Sequence, residues 1–299
     1  MKLNPYSKNS ERSGLFLKGL IFSLTLLVFL CGCSASTKPT YQIENIAADL
    51  ERICKDEYKI DIKAKQVGST LWIYMPVENI LIKSDKPEKY TEKFAIEKNT
   101  NNSFKDNALK VDYAIKAISD TEKTQDYKYN KDISEKINDV WVALRRILFS
   151  LECEKINEPK FFCMAIADIK NGFILKETFF GLDIKKVSYQ YISMTEYQHR
   201  SIQDMDILPQ VIGDKDAKNF DFKEVTMEDF LAKQIEQRIR LKFQKPEVNK
   251  DADIDKEIIK IIAHTLKTYG FKDFDYIELN NNISNNKITL NQGAILAIE

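Results

Sequence analysis

The chain has 299 residues, with 45 Lys and Arg against 45 Asp and Glu, and is 43% hydrophobic and 11% aromatic. That is enough apolar material for a folded core and too much for disorder along the whole length. The formal net charge of zero excludes a global electrostatic pull toward nucleic acid, so no nucleic-acid partner is expected.

The chain opens on a basic segment. Lys2, Lys8, Arg12 and Lys18 precede an uncharged run, Gly19–Leu30, rich in Leu, Ile and Phe, with Glu11 the one acid before it. A basic flank, a short apolar run and then small residues form the pattern of a secretory signal. The run falls short of the roughly 20 apolar residues a membrane-spanning helix needs. Extended back to Leu15 it would contain Lys18, whose long side chain can snorkel to the interface, so an uncleaved anchor is the alternative.

The run ends in Leu30-Cys31-Gly32-Cys33, which resembles the lipobox of bacterial lipoproteins: an aliphatic residue, a small one, Gly or Ala, then the Cys that receives lipid. The resemblance implies that residues 1–32 are a signal peptide and that Cys33 becomes the acylated first residue of the mature protein. It implies a lipid bilayer as partner and the cell envelope as location. Ser34 after the Cys, rather than Asp, implies an outer membrane, with the protein facing the periplasm. Without the leader's four bases and one acid, 41 bases and 44 acids remain, a net charge near −3. Residues 33–42 then form the acylated Cys and a short polar tether containing Pro39, which keeps the folded part near the membrane.

Beyond the tether, Ile43, Ile46, Ala47, Leu50, Ile53 and Cys54 recur at helical spacing and predict a helix over Ile43–Tyr58. Alternation over Lys59–Gln66, a Gly68-Ser69 turn and the run Thr70–Met75, stopped by Pro76, predict a β-hairpin. Glu78–Asn107 is rich in Lys, Glu and Asn and reads as loops around short elements. Ala108–Ile118 alternates as a strand, with the polar Thr121–Lys131 as its partner. Ile133–Leu151 is the strongest helical pattern, with Asp132 as its cap. Phe161–Ile169 and Phe173–Phe180 form a second hairpin across Lys170-Asn171-Gly172. Asp183–Met205 is ambiguous. Val187, Tyr189 and Tyr191 alternate like a strand, while Thr195 and Glu196 suit a short helix. A helix capped by Thr226 runs to Gln244, another opens at Asp253 and ends near Gly270, and Asp275–Leu279 with Lys287–Asn291 make a third hairpin. Helix followed by hairpin occurs three times. The expected class is α+β, with helices packed on antiparallel sheets in units at 43–122, 123–220 and 221–299. Such units are analogous, at fold level alone, to small αββ modules that stack in envelope assemblies.

Common catalytic signatures are absent from the sequence. It has no Gly-rich phosphate loop, nucleophile elbow or His-Glu-x-x-His, and its two histidines, His199 and His264, lie far apart along the chain. No metal site or cofactor is expected. Asp251, Asp253 and Asp255 mimic the start of a calcium loop, but Lys256 stands where the turn needs Gly and Ile262 where it needs Glu. They read as acids capping a helix. Arg145-Arg146 and Arg238/Arg240/Lys242 read as solvated helix faces pairing with nearby acids, and Trp72 and Trp141 as core. Of the cysteines left after processing, Cys153 and Cys163 could close a short disulfide in an oxidising compartment, with three buried inert thiols as the alternative. These readings favour a non-enzymatic lipoprotein, a scaffold or interaction module with an envelope protein partner. The alternatives are a cell-wall hydrolase using paired carboxylates, whose catalytic residues the sequence does not locate, and a glycan- or solute-binding lipoprotein.

Overall fold

The computed structural model describes residues 41–97, 102–150, 158–245 and 247–298. In chain order, a 3-10 turn leads into helix α1 (Ile46–Tyr58) and strands β1 (Lys63–Val67), β2 (Thr70–Val77), β3 (Leu81–Ile96), β4 (Ser103–Lys105), β5 (Ala108–Tyr113) and β6 (Ile115–Tyr129). Helix α2 (Lys131–Leu148), strands β7 (Phe161–Asp168) and β8 (Phe173–Phe180), helices α3 (Gly181–Ser188) and α4 (Met194–Arg200) and strand β9 (Ile202–Ile207) follow. The chain continues through α5 (Met227–Gln244), α6 (Ile254–Tyr269), β10 (Tyr276–Asn281), β11 (Asn286–Asn291) and α7 (Gln292–Leu296). The fold is α+β. No helix of the described residues is long and apolar enough to cross a membrane.

Two sheets carry two cores. The first has the order β1-β2-β7-β8-β9. Successive side chains of a strand point to opposite faces. Leu71, Ile73 and Met75 of β2 and Phe162, Met164 and Ile166 of β7 therefore share one face, where they meet Leu50, Ile53 and Cys54 of α1 and Val140, Leu144 and Ile147 of α2. Trp72 and Tyr74 point the other way with Cys163 and Ala165, and the loop residues Val211, Ala217, Phe220 and Phe222 cover them. Burying each large apolar side chain contributes about 1.5–3 kcal/mol, which makes this doubly covered centre the stable heart of the molecule. The second sheet, β11-β10-β5-β4, packs Leu109, Val111, Ile277 and Leu279 against Leu231, Ile235 and Phe243 of α5, Ile258, Ile262 and Leu266 of α6 and Ile295 of α7.

A two-stranded ribbon, β3 with β6, joins the cores. At one end it is rooted at the first sheet, where Asn130 N–H donates to the Ile80 carbonyl (2.8 Å) and Ile80 N–H donates to Asp168 (2.9 Å). At the other end Phe94 and Ile115 enter the second core, Phe94 edge-on to Phe243 at 5.2 Å. Sixteen residues of strand span about 50 Å.

Several expectations need correction. The residues read as loops contain β3. They form a strand because β6 supplies the hydrogen bonds, and both ribbon faces are wet, so no apolar alternation marks them. Pro87 falls in the register shift between Lys83 and Glu88, where no ladder N–H is required. Residues 121–129 continue β6 and pair with β3, not with the strand at 108–113; the chain changes sheet at Ala114. Pro76 does not end β2, because β1 stops pairing at Tyr74 and leaves that side open. Asn130, not Asp132, caps α2, its Oδ1 accepting from Asp132 N–H at 3.1 Å. The Val187–Tyr191 alternation is α3 and its exit, with Tyr189 and Tyr191 at 64% and 80% exposure rather than in a core. Each large sheet is mixed rather than antiparallel, through the parallel pairs β2–β7 and β5–β10. Those pairs cross the sequential boundaries, since β1 and β2 share a sheet with β7–β9, and β4 and β5 with β10 and β11.

Candidate functional site

The site is built where three helices converge. Ser193 caps α4, accepting from Glu196 N–H at 3.1 Å, and the helix ends in His199 and Arg200. On α5, Gln234, Arg238, Leu241, Lys242 and Lys245 fall along one stripe at helical spacing. Gln234 donates to the His199 carbonyl at 2.7 Å, and Gln237 accepts from Gln203 N–H at 2.7 Å, which docks α5 across the end of α4 and the start of β9. On α6, capped by Asp253, a second stripe holds Glu257, Lys260, Ile261 and His264. The two stripes, from Arg238 onward on the first, line a cavity of about 300 Å³ together with His199.

Behind it lies a buried ionic network. Asp183 accepts from Arg200 Nη1 and from the Tyr269 hydroxyl, each at 3.0 Å. Arg200 Nε donates to Glu196 at 2.7 Å. Glu196 also lies 3.6 Å from Arg238 Nη2, an ion pair too long for a hydrogen bond. Arg238 Nε and Nη2 are buried, with no hydrogen-bond partner among the described residues. Two arginines and two carboxylates make this network neutral as a whole. Burial raises the Glu196 pKa, but the Arg200 hydrogen bond and the two arginine charges outweigh it and hold the carboxyl below its usual range. Burial and then the Arg238 charge lower the His264 pKa. Burial and then Asp183 push the Tyr269 hydroxyl up.

The rim is not neutral. Lys242 and Lys260 both reach Glu257, each at 2.9 Å, and these two contacts hold the Glu257 carboxyl below its usual range. Lys245 pairs with no acid among the described residues. Three lysines against one glutamate leave two positive charges facing the cavity, with Leu241 and Ile261 as its apolar lining. A second concavity, about 1050 Å³, lies between α1, the β1–β2 hairpin and the start of α2. Its six bases and six acids cancel, so it carries no comparable field.

The sequence separated residues that the fold brings together. His199 and His264, 65 positions apart in the chain, line one cavity. Arg238 and Lys242 pair with Glu196 and Glu257 rather than with a neighbour on their own helix. The two stripes, one on each helix, were the available signal. Arg146 instead closes a two-pronged contact on Glu57 at 2.6 and 2.7 Å, and also touches the Tyr41 hydroxyl. Asp253 caps α6 as expected, whereas Asp255 accepts from the Tyr113 hydroxyl (2.5 Å), Asn281 and Asn286 and ties α6 to the second sheet. Trp141 packs on Phe179 at 4.2 Å, and Trp72 donates to the Lys223 carbonyl at 2.6 Å. Cys33 and Cys153 lie outside the described residues. Cys163, the expected disulfide partner of Cys153, is a buried free thiol 3.5 Å from the Thr178 hydroxyl, and burial pushes its pKa up to about 12. Among the described residues no three His, Cys, Asp or Glu side chains gather where they could hold a metal ion.

Comparison with family models, with curated proteins and with solved structures finds no match to this chain.

Proposed function

We propose that this chain is a lipid-anchored envelope protein that works by binding, as a scaffold or interaction module, rather than by catalysis. The observation that carries the reading is the Leu30–Cys33 sequence lying just before Tyr41, where the folded body begins. Eight residues from Cys33 to Tyr41 reach no more than about 28 Å, so an acylated Cys33 holds the body close to the headgroups. Each buried CH₂ of an attached chain contributes about 0.8 kcal/mol, and two or more chains make the attachment stable. The body presents a long polar ribbon beside its packed sheets, a solvent-facing surface suited to contacts with a second envelope protein. The cavity supports binding over glycan hydrolysis at that place, because Glu257 is its one lining carboxylate and paired-carboxylate chemistry needs two.

The test compares wild type with Cys33→Ala in cells, using fatty-acid labelling, cross-linking and purification through a C-terminal tag. Label and a stoichiometric protein partner in wild type alone are expected. Absence of label in both would overturn the anchor, and label without a cross-linked partner would overturn the scaffold.

A further inference from the structure

We infer that the cavity between α4, α5 and α6 is a binding site for a phosphate monoester carried on a small, partly apolar group. Four observations converge. The rim carries two uncompensated positive charges, from Lys242, Lys245 and Lys260 against Glu257. A phosphate monoester carries about −1.5 to −2 at neutral pH and balances that surplus, whereas a carboxylate would leave one charge over. Lysine is a compact, flexible point charge and binds phosphate from several directions at once. These three lysines come from two helices and bracket the cavity rather than lining a flat face.

The wall is pre-formed. Arg238 lines the cavity 3.6 Å from Glu196, which pairs with Arg200, itself paired with Asp183, so a further cation stands at the wall with its charge matched within that network. His199 and His264 add imidazole nitrogens on either side. Leu241 and Ile261, on the same two stripes as the charges, provide the apolar lining. The volume of about 300 Å³ is at the small end of ligand pockets and fits a headgroup-sized molecule. The inference stands whether or not Cys33 is acylated.

The phosphate could belong to a soluble metabolite or to a lipid headgroup; the site chemistry is the same. The test titrates full-length protein in a nonionic detergent by calorimetry with phenyl phosphate, inorganic phosphate, monomeric dihexanoyl phosphatidic acid and benzoate. Saturable binding of phenyl phosphate, at least tenfold tighter than benzoate, is expected, with inorganic phosphate weaker because it leaves Leu241 and Ile261 uncovered. Tighter binding of the phosphatidic acid than of phenyl phosphate would assign the phosphate to a lipid, and the reverse to a soluble molecule. Lys245→Gln removes a cation that holds nothing else in place, and should weaken binding about tenfold while leaving the ligand-free melting temperature unchanged. Lys245→Glu should abolish binding. Lys89→Gln, on the ribbon, should leave it unchanged. Benzoate binding as tightly as phenyl phosphate, no binding of either phosphate ester, or equal loss in Lys89→Gln and Lys245→Gln would each overturn the inference.

Discussion

Removing the carboxylate of Asp168 should loosen the joint between ribbon and first sheet. Asp168 ends β7 and is fully buried. Its Oδ1 accepts from the N–H groups of Lys170 (3.2 Å) and Asn171 (3.0 Å), and its Oδ2 from Ile80 N–H (2.9 Å) and Asn171 Nδ2 (3.0 Å). The first two bonds shape the β7–β8 turn, where Gly172 takes a φ of +72° and a Cβ would press on Ile212. The third holds the start of the ribbon. Asp168→Ala leaves these donors without their acceptor. Each hydrogen bond to a charged group is worth about 1.5–3 kcal/mol, but the four share one carboxylate and one site, so a total of about 4 kcal/mol is the reasonable sum. For a body of this size that lowers the melting temperature by about 8–16 °C. Asp168→Asn keeps one acceptor oxygen and turns an NH₂ toward the other donors, so it should fall between Ala and wild type. Burial raises the Asp168 pKa, but the Asn171 and Ile80 bonds outweigh it and the net shift is downward. The stability Asp168 supplies is therefore full above the unfolded carboxylate range and is lost as pH falls through its lowered native pKa. Thermal melts at neutral and acidic pH, with hydrogen exchange at the amides of Ile80, Lys170 and Asn171, measure both effects. An Asp168→Ala protein melting within about 2 °C of wild type at pH 7, with those amides still protected, would refute the reasoning.

Glu177 is the opposite case. Burial raises its pKa, against hydrogen bonds from Gln203 and Trp141 that lower it, so its contribution is complete below the unfolded pKa and is lost as pH rises through the native one. Glu177→Gln should raise the melting temperature at pH 8, and the gain should vanish at pH 4; an equal gain at both would contradict a buried charge as its cause. Cys54 and Cys163 are buried, and burial pushes both thiols up to about 12, so neither should be alkylated at pH 8 until denaturant is added, as peptide mass spectrometry would record. Phe230 sits between Phe161, Phe180 and Tyr269, with ring centroids at 5.3, 6.1 and 5.3 Å. Phe230→Ala should cost about 3–5 kcal/mol in urea unfolding, whereas Leu182→Ala, at a half-exposed side chain, should cost under about 1 kcal/mol.

The helices and short hairpins were legible because each buries one face, and burial writes a period into the sequence. Ile133, Val140, Leu144 and Leu148 recur at helical steps because they meet β2 and β7. The same logic hides the ribbon. Lys89, Glu92, Glu122 and Lys123 face water and pair across the strands at 3.9 Å (Lys89–Glu122) and 3.7 Å (Lys123–Glu92), so their order carries charge complementarity and no apolar alternation. Asn130 is hidden as a cap because its double duty, on α2 and on the Asn79 carbonyl, exists only once the ribbon has closed. The cavity was hidden for a related reason. Neither stripe is unusual alone, and His199 joins His264 at one cavity only through the docking of α5 on α4.

The parallel pair β5–β10 sets the order in which this molecule can be completed. Tyr113 is partnered by Asn281, 168 residues later, so the second sheet cannot close until the chain has been made through Asn281. During synthesis from the N-terminus, the first sheet gains its last strand at Ile207, while β5 still lacks its partner β10. Its buried set, Leu109, Val111 and Tyr113, would then wait at the end of the ribbon with an unpaired edge. The charges that flank this segment on the ribbon, Lys89, Glu92, Glu122 and Lys123, are those that keep a segment with an open edge in water rather than against another chain.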